Sequence, residues 1–486
     1  MYTKPQAVTF KNMLFDTLSA TLLKSLPGIL TLGLFVILGI SVNHVIAAEI
    51  NTKPAYPPFQ KFIDEAKEGA TIAPPAGTYA GPVVIDKPLI IDGKNGVTID
   101  GGGKGTVVLL KTNGATLQNL HLTHSGESAN DIDSAVQVRG NYNVIKDNVM
   151  DDCLFGVDLQ QSSNNVVKRN TISSLDRFEL GQKGDSVRLW YSFKNKIIDN
   201  ITFNVRDMVV WYSADNIIKG NTGRDSRYSL HFMYSRYNLV ESNKYYNNAV
   251  GIFLMYSDSV VLKNNYIAHA AGPTGMGIGF KETSDLTLEN NVVLYCSTGF
   301  YIDVSPFQPD TTNKFRDNLL GYNGIGIRFL NDWHGNIFKH NQFAGNLTQV
   351  VVSGGKTANR NVWEGNYWSD YEGFDQNGDN QGDTPYELYA YADKLWRDVP
   401  GAQFFKGSPI LETLDFLEQL APFSKPDLLV RDKKPVMSKF IKTAHRSADS
   451  FSKTGDSSDK PEKNKTGKKL SAYEMLLKSQ KEQLGK

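Results

Sequence analysis

The chain has little of what several common classes of protein depend on. It contains 2 cysteines among 486 residues, so disulfides do not hold its fold together. Its formal net charge is +1, which leaves no overall basic excess for binding nucleic acid. The run G-x-x-x-x-G-K-[ST] of P-loop nucleotide-binding proteins does not occur. The sequence therefore excludes a disulfide scaffold, a basic nucleic-acid-binding protein and a P-loop ATPase.

The N-terminus has the pattern of an export signal. An apolar run from Leu26 to Val42 follows several lysines and precedes the small residues Ala47 and Ala48. This order predicts a signal peptide over residues 1–48, cleaved near Ala47 or Ala48. An uncleaved membrane anchor is the alternative, since the run reaches the short limit for spanning a bilayer. In both cases the remaining chain lies outside the cytosol, which means the periplasm in a Gram-negative host.

A six-residue pattern, polar-x-apolar-x-x-Asn, recurs through the middle of the chain with a period near 22 residues. A unit of this length cannot bury its own apolar face, so neighbouring units must stack around a shared core. Stacked Asn side chains can hydrogen-bond along the axis, and Asn tolerates the left-handed corner that a coil needs. The ten copies are Asn143–Asn148, Asn165–Asn170, Asn195–Asn200, Asn216–Asn221, Asn238–Asn243, Ser259–Asn264, Asp285–Asn290, Asn313–Asn318, Asn336–Asn341 and Asn361–Asn366.

These repeats predict an all-β protein, a right-handed parallel β-helix (solenoid) over residues 49–400. Apolar residues spaced as on one helical face between Phe59 and Ala66 predict a short N-terminal capping helix. Ser408 and Pro409 suit the start of a C-terminal helix, and residues 401–440 are predicted to be a helical region. Residues 441–486 are predicted to be a disordered, low-complexity tail.

Alternation along the central strands assigns their two faces. Leu230 and Phe232, and the equivalent residues of neighbouring coils, are apolar and should point inward. The opposite, outward face is also unusually apolar, although outward faces are normally polar. We interpret it as a partner surface that includes Arg188, Trp190, Trp211 and Phe253; a ladder covered by other parts of the chain is the alternative.

Three residues of this outward stripe are candidate copper ligands. His231 and Met233 lie two apart on one strand, and Met255 should lie one coil away from Met233. Imidazole and thioether groups together suit Cu(I). Ordinary surface packing of a histidine near methionines is the alternative.

A second candidate metal site is the loop that contains Asp375, Asn377, Asp379 and Asp383. Oxygen-bearing side chains at alternating positions are typical of calcium loops. The loop departs from the EF-hand pattern at Asn380 and Tyr386, so a turn rich in Asp and Asn is the alternative.

An enzyme must also be considered, because many β-helices cleave polysaccharides. Asp151, Asp152 and Asp185 are candidate acid–base residues for such chemistry. Trp190 and Trp211 could stack on sugar rings. The neighbours Arg206 and Asp207 fit a surface ion pair instead.

Several central motifs resemble the NosD family. The runs GDSVRLWYS (184–192), RDMVVWYS (206–213) and RYSLHFMYS (227–235) carry the resemblance most clearly. Further matches are GIGFKE (277–282) and GNYWSDY (365–371). The resemblance extends over residues 55–435 and excludes the N-terminus and the tail.

The resemblance implies a β-helix of the carbohydrate-binding and sugar-hydrolase repeat type, working as a periplasmic, non-catalytic accessory protein in denitrification. NosD proteins act with an ABC transporter made of the ATPase NosF and the membrane subunit NosY, through which they associate with the membrane. The resemblance implies that residues 401–440 contact the membrane subunit. The system helps to build the copper–sulfide cluster CuZ of nitrous-oxide reductase, and the copper chaperone NosL is an expected donor. The resemblance thus implies a metallochaperone with transient copper binding. A polysaccharide-binding or polysaccharide-cleaving β-helix remains the alternative function.

Overall fold

The computed structural model describes residues 56–353, 357–390, 408, 409, 413, 417 and 427–440. These residues belong to one compact unit, Pro54–Lys486. The predicted signal peptide, the predicted tail and most of the predicted C-terminal helix lie outside the described residues. Pro409, Thr413 and Leu417, which are described, are helical. No described helix is long and apolar enough to cross a membrane.

Short parallel strands wind into a right-handed β-solenoid of about 13 turns, which confirms the predicted fold class. Besides the helical residues Pro409, Thr413 and Leu417, the described residues contain 38 strands, the α-helix α1 (Gln60–Glu65) and a 3₁₀ helix (Leu180–Gln182). Strands of successive turns pair in register and form three stacks. Because each strand is hydrogen-bonded to the turns on both sides of it, the structure leaves few free strand edges.

The first two stacks form one continuous sheet because the long strands β4 and β6 belong to both. The first stack consists of β1 (Thr71–Ile72), β4 (Ile90–Asp100), β6 (Thr116–Thr123), β8 (Val144–Lys146), β11 (Val166–Lys168), β14 (Lys196–Ile198), β17 (Ile217–Lys219), β20 (Leu239–Glu241), β23 (Val261–Lys263), β26 (Thr287–Glu289), β29 (Asn313–Arg316), β32 (Asn336–Lys339) and β35 (Val362–Glu364). The second adds β2 (Gly77–Ala80), β9 (Val149–Asp151), β12 (Thr171–Ser173), β15 (Ile201–Phe203), β18 (Thr222–Arg224), β21 (Lys244–Tyr246), β24 (Tyr266–Ala268), β27 (Val292–Leu294), β30 (Leu319–Gly321), β33 (Gln342–Ala344) and β36 (Tyr367–Trp368).

The third stack is a separate sheet of 12 strands and carries the candidate site. It consists of β3 (Val83–Ile85), β5 (Val108–Leu110), β7 (Ser134–Val138), β10 (Phe155–Gln160), β13 (Val187–Trp190), β16 (Asp207–Trp211), β19 (Tyr228–Met233), β22 (Val250–Met255), β25 (Met276–Lys281), β28 (Thr298–Asp303), β31 (Ile325–Phe329) and β34 (Thr348–Val352). The predicted inward column is confirmed, since Leu230 and Phe232 are fully buried in the shared core.

Two buried ladders of asparagine hold successive turns together. In the first, the Oδ1 atom of Asn221 accepts hydrogen bonds from the backbone N–H and the Nδ2 of Asn200, both at 3.0 Å. Its Nδ2 donates to the carbonyl of Ile197 at 2.8 Å and to Asn243 Oδ1 at 3.0 Å. One side chain thus joins three turns, as predicted for the final Asn of the repeat. The second ladder uses the first residue of the repeat, from Asn143 to Asn238, a role the sequence did not indicate.

The predicted frame of two repeats is wrong by one residue. The ladder passes through Asn265 and Asn291 rather than Asn264 and Asn290. Asn264 and Asn290 precede the ladder and have φ angles of +56° and +54°. The left-handed corner therefore belongs to the residue before each ladder Asn. Each of these repeats ends in two adjacent Asn residues, so the sequence alone did not show which one joins the ladder. The hydrogen bonds between turns identify the second of each pair.

The last turn is capped by a strand that lies in the region predicted to be helical. Strand β38 (Asp427–Asp432) pairs antiparallel with β37 (Tyr386–Ala390). The Asp432 carboxylate accepts hydrogen bonds from the Asn366 backbone N–H at 3.0 Å and from Asn366 Nδ2 at 2.8 Å. Asp432 thereby completes the ladder where no further turn follows. Residues 427–432 of the predicted 401–440 helical region are consequently extended, because the open ladder end needs an acceptor.

Asn221→Ala should lower the free energy of unfolding by about 3 kcal/mol, because it leaves two buried backbone groups of the preceding turn, the Asn200 N–H and the Ile197 carbonyl, without partners. Asn264→Gly is the matched control. Asn264 is exposed with a φ of +56°, a conformation that Gly adopts freely, so its effect should stay within about 0.5 kcal/mol. Urea denaturation followed by circular dichroism measures both. Equal effects of the two substitutions would contradict the ladder's role.

Candidate functional site

The outward face of the third stack contains a half-buried column of two aromatic residues and two methionines. In the strand register Trp190 pairs with Trp211, Trp211 with Met233, and Met233 with Met255. The Trp190 and Trp211 ring centres are 5.7 Å apart. The predicted partner-surface residues Trp190 and Trp211 and the predicted ligands Met233 and Met255 therefore share one continuous surface, which we call the outer column.

The adjacent outward column is covered. Val209, His231 and Phe253 pair across β16, β19 and β22, and each is buried. His231 is 5% exposed and Phe253 9% exposed. The prediction that these residues lie on an open stripe is wrong, and for His231 the reason is that aromatic side chains of its own and the two neighbouring turns enclose it. We call this set the inner column.

His231 lies at the junction of the two columns. Its Nε2 atom is 3.3 Å from the Met255 sulfur, and its Nδ1 atom is buried without a hydrogen-bond partner among the described residues. Burial lowers the pKa of His231 to about 4, so the ring is neutral at neutral pH and one nitrogen keeps its lone pair. The structure therefore brings His231 and Met255 together and places Met233 beside Met255 in register.

Three aromatic rings enclose His231. The Tyr228 ring centre is 4.9 Å away, that of Trp211 5.8 Å and that of Phe253 6.4 Å. On its other side the Phe253 ring packs directly against the backbone of Gly279. A Cβ atom at position 279 would lie only 2.1 Å from the Phe253 ring, so a larger residue there would displace it. Gly279 thus belongs to the site through close approach, which explains a glycine inside a strand.

A β-bulge brings Tyr228 over His231. Residues three apart in a regular strand point to opposite faces. Here the register with β16 shifts between Asp207 and Val209, so that Asp207 pairs with Tyr228 and Val209 with His231. The extra residue in β19 turns Tyr228 toward the side of His231. A bulge has no signature in this sequence, so Tyr228 could not be predicted as part of the site.

Buried aspartates and partly exposed arginines line one edge of the columns. Arg188 and Arg139 both pair with Asp158 at 2.8 Å. Arg206 pairs with Asp185 at 2.9 Å, and Arg227 binds Asp207 through two guanidinium nitrogens. The expected pair of Arg206 with Asp207 is present at 3.8 Å, but the shorter contact of Arg206 is with Asp185 of the preceding turn.

One aspartate of this edge, Asp185, has a strongly shifted pKa. Burial raises the pKa of Asp185 to about 7, against the opposing effect of Arg206 and with a further increase from the nearby Asp207 carboxylate. A protonated Asp185 avoids two negative charges in one buried cluster.

Charged side chains stand at both ends of the outer column. The Arg188 guanidinium lies 4.7 Å from the centre of the Trp190 ring. At the other end Lys281 pairs with Met255 in register and contacts Asp303 at 3.2 Å. An apolar centre with a charged rim is the usual anatomy of a protein interface.

A tyrosine ladder flanks the outer column at the next corner. The rings of Tyr191, Tyr212, Tyr234 and Tyr256 stack nearly parallel, with centres 4.9, 5.1 and 4.8 Å apart. Their ring faces are turned toward one another, so mainly edges and hydroxyls face outward. The serine that follows each tyrosine is buried and bridges turns, as in the 3.0 Å bond from the Ser192 N–H to Ser213 Oγ.

The acidic residues considered for sugar chemistry are held in ion pairs. Asp151 contacts His121 Nε2 at 2.8 Å, and Asp152 contacts His124 Nε2 at 3.0 Å and also Arg177. Asp185 pairs with Arg206 as described above. These contacts favour structural roles for all three carboxylates.

The predicted calcium loop folds onto its own backbone. Asp375 Oδ1 accepts from the Gly378 N–H at 2.7 Å, Asp379 Oδ1 from Gln381 at 2.8 Å and Asp383 Oδ2 from Gln376 at 2.7 Å. Asn377 Oδ1 accepts from the Asp379 N–H at 3.0 Å. Among the described residues no three His, Cys, Asp or Glu side chains converge as metal ligands. The contacts support the turn rich in Asp and Asn, and calcium binding stays a prediction.

Fold and site together define a class: a parallel β-solenoid with an enclosed histidine and a methionine–tryptophan column on one outward face. The family model described as "Periplasmic copper-binding protein (NosD)" matches residues 174–373. Two relatives named "Probable ABC transporter binding protein NosD" align with the chain. The one from Pseudomonas aeruginosa is 28% identical over 384 residues, covering 74% of this chain and 87% of the relative. The one from Stutzerimonas stutzeri is 26% identical over 382 residues, covering 75% and 86%. The resemblance to NosD is confirmed.

Solved β-helices are similar in fold at low sequence identity. The A-module of mannuronan C-5 epimerase AlgE6 from Azotobacter vinelandii has a TM-score of 0.47 and 15% identity, covering 62% of this chain and 93% of the module. The Streptococcus pneumoniae surface protein and adhesin PfbA has a TM-score of 0.43 and 14% identity, covering 58% and 91%. At these levels of similarity nothing about activity follows.

Asp185→Asn should flatten the pH dependence of stability. Since the pKa of Asp185 is raised in the folded state, folding takes up a proton between about pH 4 and pH 7, and stability from this group falls as the pH rises through that range. The difference in unfolding free energy between the native protein and Asp185→Asn should change by up to about 1 kcal/mol per pH unit there. Urea denaturation across this range measures it, and a constant difference would contradict the raised pKa.

Proposed function

We propose that this protein binds Cu(I) transiently at His231, Met233 and Met255 and presents it to partner proteins in the periplasm during maturation of nitrous-oxide reductase. The observation that carries the proposal is the 3.3 Å contact between His231 Nε2 and the Met255 sulfur at the edge of an apolar outward face. A neutral imidazole beside thioethers offers the soft to borderline donors that Cu(I) prefers. The match to a copper-binding family supports the same chemistry.

The donor set suits a carrier more than a store. It supplies one nitrogen and two thioether sulfurs and no thiolate, since both cysteines are buried elsewhere in the core. Burial raises the pKa of Cys296 to about 12 and that of Cys153 further, so neither thiol ionises readily. A site of few, uncharged ligands can exchange its ion with a partner of similar affinity.

The outer column would be the docking surface for the donor or the acceptor of copper. Trp190 and Trp211 offer large, rigid aromatic area, which dominates the energy of many interfaces. Arg188 and Lys281 at its ends would fix the register of a partner with complementary charges. NosL as donor and nitrous-oxide reductase as acceptor are the partners that the resemblance suggests.

Association with an ABC transporter of the NosF and NosY type is supported by the names of the two relatives. The protein itself would perform no catalysis, and ATP hydrolysis would belong to the transporter. The predicted contact with the membrane subunit lies in residues 401–440, which include the capping strand β38.

Replacing the three candidate ligands should weaken Cu(I) binding without unfolding the protein. His231→Leu together with Met233→Leu and Met255→Leu removes the donors and keeps most of the buried volume, so the melting temperature should change little. The affinity for Cu(I), measured by competition with a chromophoric Cu(I) chelator, should fall by tenfold or more, about 1.4 kcal/mol.

Met276→Leu is the matched control, because Met276 is a half-buried methionine of the same stack, one turn beyond Met255. Its Cu(I) affinity should equal that of the native protein. If the triple variant also binds Cu(I) normally, the copper site is not formed by these residues.

The maturation role can be tested in a strain that lacks this gene. Its purified nitrous-oxide reductase should lack the CuZ absorbance and activity and should contain less copper, and a plasmid copy of the gene should restore all three. The ligand-deficient triple variant should fail to restore them, whereas Met276→Leu should succeed. A fully assembled reductase in the deletion strain would overturn the proposal and favour the polysaccharide alternative.

A further inference from the structure

We propose that Tyr228 controls access to His231 and that the ion pair of Arg227 with Asp207 holds Tyr228 in its covering position. This inference rests on the proposed function for its biological meaning, since the access it regulates is that of a metal ion or its carrier. Its structural part, the covering of His231, stands on the contacts alone and can be tested without copper.

The geometry singles out Tyr228 among the three enclosing rings. It is the nearest to the imidazole, with ring centres 4.9 Å apart and planes inclined by 35°. Phe253 is seated on Gly279, and Trp211 packs against Trp190 within the outer column. Tyr228 lies at the start of its strand beside a bulge, and its ring also stacks on Phe253, with centres 5.9 Å apart. Moving Tyr228 would therefore uncover His231 while Phe253 stays seated on Gly279 and Trp211 stays packed on Trp190.

An exposed cation, rather than the core, fixes Tyr228 in place. The Arg227 guanidinium lies 4.8 Å from the centre of the Tyr228 ring. The same guanidinium binds the fully buried Asp207 through two nitrogens, while 43% of the Arg227 side chain is exposed. Asp207 Oδ1 also accepts the Tyr228 backbone N–H at 3.2 Å. Asp207 therefore holds Tyr228 in two ways. It accepts the hydrogen bond of the Tyr228 backbone N–H, and it positions the Arg227 guanidinium against the Tyr228 ring.

The position of Tyr228 over His231 would affect which metal ions reach the imidazole. A buried imidazole behind apolar rings cannot be reached by a divalent ion that keeps its hydration shell, whereas Cu(I) delivered by a docked carrier can pass directly between soft ligands. Tyr228 would then let copper enter fastest when a partner on the adjacent outer column displaces the ring. It would exclude Zn²⁺ and aqueous Cu²⁺, which also bind imidazole.

The covering can be measured by chemical modification of the metal-free, full-length protein. Diethyl pyrocarbonate modifies accessible imidazoles, and mass spectrometry reports each histidine separately. His231 should react at least about tenfold more slowly than His334, which is exposed and serves as an internal reference. Tyr228→Ala should raise the rate at His231 about tenfold while leaving that at His334 unchanged. Tyr228→Phe, which keeps the ring, should behave as the native protein.

Arg227→Gln tests the clamp separately from the cover. It removes the cation over the ring and should also raise the modification rate of His231, by less than Tyr228→Ala does. Unfolding would also expose other covered histidines, so far-ultraviolet circular dichroism and an unchanged rate at His121, whose side chain is 13% exposed, guard against a general loss of structure. If His231 reacts as fast as His334 in the native protein, or if Tyr228→Ala leaves its rate unchanged, Tyr228 does not control access.

Metal binding then separates this inference from the proposed function. Tyr228→Ala should gain binding of Zn²⁺, measured by calorimetry with the metal alone, while its Cu(I) affinity stays within about threefold of the native value. No gain of Zn²⁺ binding despite faster modification of His231 would overturn the role in specificity. Absence of Cu(I) binding in the native protein would refute the proposed copper site, while the modification rates would still decide the role of Tyr228.

Discussion

The hydrogen bond between buried asparagine side chains of successive turns is the constraint on which the rest of this structure depends. Each carboxamide satisfies backbone groups of the preceding turn and donates to the Asn of the next turn, as Asn221 does for Asn200 and Ile197 and for Asn243. Such groups would otherwise be buried without partners at the corners of every turn, at a cost comparable to a lost hydrogen bond each. The ladder therefore fixes how turns align, and Asp432 supplies the final acceptor where the stack of turns ends.

The candidate site follows from that alignment. Once turns are in register, residues at equivalent positions of consecutive turns become neighbours although they lie 21 or more residues apart in the chain. Met233 and Met255 meet in this way, as do Trp190 and Trp211. The rows of ion pairs arise similarly, with arginines reaching back to carboxylates of the preceding turn. A solenoid thus forms columns of side chains from equivalent positions of successive turns. Where one turn differs from its neighbours, the surface acquires a local feature that the other turns lack.

The departure here is the bulge at the start of β19. It places Tyr228 over His231, while the neighbouring turn contributes the Met255 sulfur. An enclosed neutral imidazole next to thioethers and a half-exposed apolar column is a combination that a carrier of a soft metal ion could use. In the proposed function the enclosure would protect the nitrogen from competing ions, and the column would offer a partner a place to dock.

The sequence by itself determined the architecture. Period, apolar alternation and repeated Asn predicted the parallel solenoid, the inward columns and the shared face of Met233 and Met255, because these depend on local pattern and on a near-constant turn length. Only the tertiary structure decided that the ladder uses Asn265 and Asn291, that Asp432 caps it, and that His231 is covered rather than exposed. Those features depend on one-residue shifts in pairing and on side chains from distant segments, and neither leaves a signal in a single sequence.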